Sequence, residues 1–242
     1  MKDFTILHKD NNLVIVNKSA GLSVAECQEK LSKYLSVSVI KPPAHANLSL
    51  FSVGDLDDAV SGIQVFGLNP SILAELEKNW NTQWFSREYL ALVKGDIPGS
   101  STIHFDLKDK SKNVRPAVTE FQPIKSFGIA TLLHIKPVTD SKHQIRRHFS
   151  RRCMNIIGDK KFGQKKWNDF FRIEFDLNRI FLHAHLLQLK LKSYNRTIEI
   201  NCPLPDTLET VLQKITIFYQ SPEVLSHPAW NSLLLDREGE EC

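Results

Sequence analysis

Glycine is scarce in this chain, at 10 of 242 residues, and proline adds only 11, which excludes collagen-like and low-complexity architectures. No apolar run approaches the roughly 20 residues that a membrane-spanning helix needs. The opening stretch, MKDFTILHKDNN, lacks the apolar core of a secretory leader. Cysteine is sparse too. Cys27, Cys153, Cys202 and Cys242 stand far apart and form no CxxC pair, so neither a structural zinc site nor a redox motif is expected. Four reduced thiols in a cytoplasmic protein are the plain expectation. The phosphate-loop, GxGxxG, GxSxG and HExxH strings are all missing, which weakens NTPase, dinucleotide-binding, serine-hydrolase and zinc-protease readings. His183-x-His185 offers two ligands on one strand face, but no Cys or carboxylate neighbour completes a metal site.

What is present suits one sizeable domain. The chain is 42% hydrophobic and 24% charged, with a net charge of only +4. The distribution of charge is more informative. Residues 141–166, SKHQIRRHFSRRCMNIIGDKKFGQKK, hold nine Lys or Arg and a single acid, Asp159. The rest of the chain carries 22 basic and 26 acidic residues. One short segment thus supplies the positive field, as polyanion binding requires, although a solvated basic face has the same composition. The last 22 residues are acidic, with Glu223, Asp236, Glu238, Glu240 and Glu241 against Arg237.

Hydrophobic patterning predicts a hairpin over 4–8 and 13–17, turning at Asp10-Asn11-Asn12, then a helix over 26–36 burying Leu31 and Leu35. Pro42 and Pro43 mark an irregular connection. A strand over 62–68 leads to Asn69-Pro70, which caps and opens a helix carrying Ile72, Leu73, Leu76 and Trp80. Further strands are expected over 87–95, 127–136, 180–191 and 196–200. Helices are expected over 141–153, with a basic outer face, and after Pro205. The aromatic stripe Trp80/Trp84/Phe85 reads as core packing. Strands and helices mix without regular alternation, so the expected class is α+β, with a mixed, mostly antiparallel central sheet flanked by helices.

Two polar clusters are unusual for core structure. Residues 54–62, GDLDDAVSG, crowd three carboxylates into four positions, as an exposed acidic turn would. Residues 139–148, TDSKHQIRRH, put hydroxyls, amides and cations at a strand-to-helix junction suited to anions. In this order, and with five further elements, the chain resembles the RluA family of RNA pseudouridine synthases, within it the tRNA pseudouridine synthase C branch. LVIVNKSAG (13–21) is similar to the family's opening strand and N-K-P-A-G turn, with Ser19 for the proline. Residues 54–62 fall on H-R-L-D-R-x-T-S-G, REYLALVKG (87–95) on K-x-Y-x-A-x-V-x-G, and PAVT (116–119) on A-x-T. Residues 139–148 fall on T-G-R-x-H-Q-I-R-x-H, IIGDKKFG (156–163) on I-x-G-D-x-x-Y-G, and RIFLHA (179–184) on R-L-x-L-H-A.

The resemblance implies a pseudouridine synthase catalytic-domain fold over residues 1–220, with 221–242 as an acidic C-terminal extension. It leaves no room for an S4-like RNA-binding domain before residue 4. It implies an isomerase that needs no cofactor or metal and acts on RNA, tRNA before rRNA; a monomer is the default expectation. Position by position it places the catalytic aspartate at Asp57, the active-site tyrosine at Tyr89, the arginine partner of the aspartate at Arg146, and an apolar pocket residue at Leu182. The candidate RNA contacts are Lys142, His143, Gln144, Arg147, Arg151, Lys160 and Lys161. The first motif departs from the family. Gly54 replaces His, Asp55 and Asp58 replace arginines, and Val60 replaces Thr; later, Met154-Asn155 replaces His-Pro. The arginine missing at Asp55 holds the extruded nucleotide in the family. These departures keep a second expectation open, an RNA-binding protein on the same fold with little or no catalysis.

Overall fold

The computed structural model describes residues 3–38, 50–80, 82, 84–109, 111–194, 196–221, 227, 228 and 233. Pro42, Pro43, Cys242 and the acidic residues of the C-terminal extension lie outside them. No helix among the described residues is long and apolar enough to cross a membrane.

The chain begins with a hairpin of β1 (Phe4–Lys9) and β2 (Leu13–Lys18). Asp10 closes its turn, its Oδ1 accepting from the backbone N–H of Asn12 and Leu13, both at 2.8 Å. α1 (Val24–Ser38) opens on a reciprocal cap: Ser23 Oγ accepts from Glu26 N while Glu26 Oε2 accepts from Ser23 N. Next come β3 (Phe51–Val53), β4 (Ser61–Gly67) and α2 (Pro70–Asn79). Asn69 caps α2, accepting from Ile72 N at 2.9 Å. Strands β5 (Phe85–Lys94), β6 (Ser101–His104), β7 (Leu107–Lys108), β8 (Val114–Arg115), β9 (Val118–Ser126) and β10 (Ala130–Pro137) follow. The chain finishes with α3 (Gln144–Arg151), α4 (Lys165–Phe175), β11 (Leu182–Leu189), β12 (Ile198–Asn201) and α5 (Asp206–Gln220).

These elements form two compact units. The first takes Met1–Arg87 and Ala184–Cys202, the second Glu88–His183 and Pro203–Cys242, so β5 and β11 each contribute residues to both. In the first unit β2 pairs antiparallel with β1 and β4, β3 pairs with β4, and β12 pairs with β11. α1 covers this sheet, burying Cys27, Leu31 and Leu35 against Val14, Val16 and Phe66. In the second unit β10 lies between β5 and β9, β6 adds to the far side of β9, and β7 and β8 form a separate ribbon; all these pairs are antiparallel. Its core is aromatic: Trp167, Phe170, Phe171 and Phe175 of α4 meet Leu208, Val211 and Ile215 of α5, with Leu92, Phe127 and Phe181.

The α+β class and the mostly antiparallel arrangement agree with the sequence analysis. Several details differ. The helix predicted over 141–153 spans only Gln144–Arg151, because His143 takes the left-handed conformation (φ 56°) and starts it late. Trp84 is 42% exposed, under the Lys190 ammonium, rather than in the core. Cys27 and Cys202 are buried and not disulfide-bonded, as expected of reduced thiols, but Cys153 is disulfide-bonded. Separation along a sequence does not tell which thiols folding brings together.

Candidate active site

Asp57 belongs to the first unit, in the loop between β3 and β4. That loop is built on Lys18, the last residue of β2, whose side chain is fully buried. Its Nζ lies 2.7 Å from Leu22 O, 2.8 Å from Val60 O, 3.1 Å from Ser19 O and 3.4 Å from Asp58 O. A buried ammonium is costly unless its hydrogen bonds are made, so these carbonyls are drawn in around it. Gly21 N donates to Asp58 O at 2.7 Å and Val60 N to Asp57 O at 2.9 Å. Gln64 Oε1 accepts from Leu56 N at 3.0 Å. With Leu56 and Val60 anchored inward, the three carboxyl-bearing residues occupy the outer positions. Asp55 and Asp58 are exposed, and Asp57 is half-buried.

Gly54 begins this loop at φ +59°, and a Cβ there would lie 1.4 Å from Trp80 Cζ2. Trp80 therefore fills the place that a side chain at position 54 would need. The indole in turn packs against Phe85, with 3.9 Å between ring centroids, and the Arg87 guanidinium stands 4.4 Å above it.

Tyr89, Arg146 and Leu182 belong to the second unit. Tyr89 is buried in β5 opposite Ile135 of β10, and Leu182 is buried at the start of β11. Arg146 is buried on α3 and held in a two-pronged grip by Asp159: Nε donates to Oδ2 and Nη2 to Oδ1, each at 2.8 Å. Its guanidinium lies 5.0 Å from the centroid of the Phe162 ring, and Nη1 is 3.5 Å from His143 Nδ1. Asp159 also accepts from the backbone N–H of Lys161 and Phe162. Burial alone would raise its pKa, but Arg146 and these two amides together hold the carboxyl below the ordinary value. Gly158 makes the turn possible at φ +81°, where a Cβ would strike Arg179 O at 2.0 Å. In the sequence Asp159 is the lone acid among nine cations and the acid of the I-x-G-D-x-x-Y-G element. Its place after an Ile-Ile-Gly turn was the available signal for this role.

The candidate RNA contacts separate into two groups. Gln144 is buried and bound into the sheet: Thr139 Oγ1 donates to its Oε1 at 2.8 Å, and its Nε2 donates to Val118 O and Thr119 Oγ1, both at 3.0 Å. Thr119 Oγ1 lies 3.0 Å from His148 Nδ1, and His148 Nε2 lies 3.0 Å from Phe105 O. A carbonyl can only accept, so Nε2 carries the proton and Nδ1 accepts from Thr119. This relay ties α3 to β9. His143 is half-buried beside Phe162, and Arg147 is half-buried with Nη1 3.4 Å from Lys142 O. Lys142, Arg151, Lys160 and Lys161 are exposed, as RNA contacts must be.

A family model described as RNA pseudouridylate synthase matches residues 12–151, more than half of the chain. The chain belongs to the RNA pseudouridylate synthase family. Family relatives include the ribosomal large subunit pseudouridine synthase C of Buchnera aphidicola subsp. Baizongia pistaciae. It is 29% identical over 223 residues, covering 87% of this chain and 70% of that protein. The tRNA pseudouridine synthase C of Vibrio parahaemolyticus serotype O3:K6 is 26% identical over 235 residues, covering 88% and 95%. Among solved structures, Human RNA Pseudouridylate Synthase Domain Containing 4 superimposes with a TM-score of 0.72 at 22% identity, over 87% of this chain and 92% of that one. The pseudouridine synthase fold is therefore shared.

Proposed function

We propose that this protein is an RNA pseudouridine synthase that isomerises a uridine in structured RNA, with tRNA as the preferred substrate, acting as a cytoplasmic monomer. The observation that carries this reading is the family match over residues 12–151, and it is supported by Asp57, Tyr89, Arg146 and Leu182 standing where the resemblance puts the catalytic and pocket residues. Similarity to the tRNA synthase of V. parahaemolyticus over 95% of that protein supports the choice of tRNA.

The reaction breaks the bond between C1′ and N1, turns the uracil, and joins C1′ to C5, from which a proton is lost while N1 gains one. No electrons are exchanged with a second reactant. Asp57, half-buried on a loop fixed by Lys18, is the carboxylate that acts beside the sugar, as nucleophile at C1′ or base at C2′. Arg146 supplies the cation, and Asp159 fixes the orientation of its guanidinium before substrate arrives. The target base must leave its stack, which costs a few kcal/mol that contacts to the rest of the RNA offset.

The Asp55 and Asp58 carboxylates favour a second reading, an RNA-binding protein with little catalysis, since they repel phosphate where the family carries arginines. One experiment decides between them. Purified protein and Asp57→Ala are mixed with unmodified total tRNA and rRNA, and new pseudouridines are mapped. Sites formed by wild type and not by the variant establish catalysis. No product at high enzyme concentration, with RNA still bound, establishes the binding protein.

A further inference from the structure

We infer that Phe105 and Arg151 form a stacking platform for an unpaired base of the RNA substrate, outside the catalytic residues named above. Phe105 follows β6 and is 47% exposed, although it is a large aromatic side chain. The Arg151 guanidinium lies 4.0 Å from its ring centroid. Both partners are fixed. Phe105 N donates to Ala117 O at 3.1 Å, and Phe105 O accepts from the buried His148. Arg151 Nη1 donates to Asp106 O at 3.2 Å. An isolated exposed hydrophobic residue is ordinary on a protein surface. A phenyl ring and a guanidinium plane held together on a rigid backbone are a different object. They present a flat, cationic face whose conformational cost has been met in folding.

The surroundings identify the ligand class. Arg147 lies one turn before Arg151 on the same face of α3, and exposed Lys142 and Arg152 flank that helix. Like charges one turn apart weaken an isolated helix, so their presence together points to a polyanion. Bases of single-stranded RNA stack on aromatic rings and on arginine planes, whereas a paired base within a duplex offers no free face. A platform flanked by cations therefore fits an unpaired nucleotide with its phosphates on α3. It would select stem-loops over continuous duplex.

This inference rests on the protein acting on RNA, and its test reads binding rather than product. The probes are a fluorescent RNA stem-loop carrying 2-aminopurine in the loop and a duplex of equal length, titrated with wild type, Phe105→Ala, Phe105→Tyr and Arg151→Lys. The expected result is a roughly tenfold loss of stem-loop affinity, and loss of 2-aminopurine quenching, for Phe105→Ala and Arg151→Lys. Phe105→Tyr retains both, and duplex affinity is unchanged throughout. Arg151→Lys keeps the charge, so its salt dependence matches wild type. Stem-loop binding by Phe105→Ala and Arg151→Lys equal to wild type overturns the platform, as does equal loss for loop and duplex. Failure of the synthase reading appears separately, as absence of pseudouridine with wild-type protein.

Discussion

Arg146 shows how much of this site depends on the single side chain that aims it. Its guanidinium is buried and aimed by Asp159 through two 2.8 Å bonds. Removing one member of a buried pair leaves an uncompensated charge, which costs on the order of 3–5 kcal/mol. Asp159→Asn is therefore expected to lower the unfolding midpoint sharply and to cut the rate of pseudouridine formation by at least roughly tenfold, a loss of about 1.4 kcal/mol of transition-state stabilisation. Thermal melts and single-turnover assays check it; a variant with wild-type rate would show that Arg146 needs no anchor. Gly54 and Trp80 form a second such pair, because the indole occupies the space of a Cβ at position 54. Gly54→Ala is expected to cost about 1–3 kcal/mol by overpacking. Trp80→Ala is destabilising too, through the cavity it leaves. The double variant should be more stable than the sum of the two losses implies, as a double-mutant cycle would show.

At the level of elements, two buried polar groups tie separate segments together. Lys18 ties the end of β2 to the Asp57 loop through carbonyls of Asp58 and Val60. Lys18→Met keeps much of the volume and removes every one of these bonds. Faster hydrogen exchange at the amides of Gly21 and Val60 is the expected outcome, and unchanged protection would exclude Lys18 as the organiser of that loop. His148 ties α3 to β9. Burial lowers its pKa; the Phe105 carbonyl works in the opposite direction, and Arg151 and Arg147 add to the lowering. The folded state thus binds a proton less readily than the unfolded chain, whose histidine titrates near 6.5. Its contribution to stability is complete above that pH and is lost as the pH falls from there toward the folded-state value. Denaturant melts between pH 7.5 and 5, at about half-unit steps, should show this decline. The slope should be smaller in His148→Gln.

For the whole molecule, the net +4 is a poor guide to RNA affinity. Of the nine cations in residues 141–166, Arg146 is engaged by Asp159 and Lys165 by Asp169. Exposed cations such as Lys160 and Lys161 are the part that can release counterions. Neutralising Lys160 and Lys161 to Gln should reduce the slope of log affinity against log salt by about 0.7 per lost phosphate contact for single-stranded RNA. An unchanged slope would place the RNA elsewhere.

The amino-acid sequence by itself determined the elements whose stability is local. The Asp10 turn, the Asn69 cap and the spacing of Leu31 and Leu35 all act within a few residues, so their outcome is readable along the chain. Ordered motifs also put Asp57, Tyr89, Arg146 and Leu182 forward as candidate site residues. α4 was less visible: Trp167, Phe170, Phe171 and Phe175 have helical spacing, but the helix starts at Lys165, at the end of the basic segment, where charge dominates the reading. Tertiary structure alone decided that Asp159 grips Arg146, that Trp80 fills the space at Gly54, that Gln144 is bound into β9, and that Phe105 stays exposed beneath Arg151. Each joins residues 13 or more positions apart. The partner of a buried charge or an exposed ring is set by where the backbone returns in space, and no local propensity encodes that return.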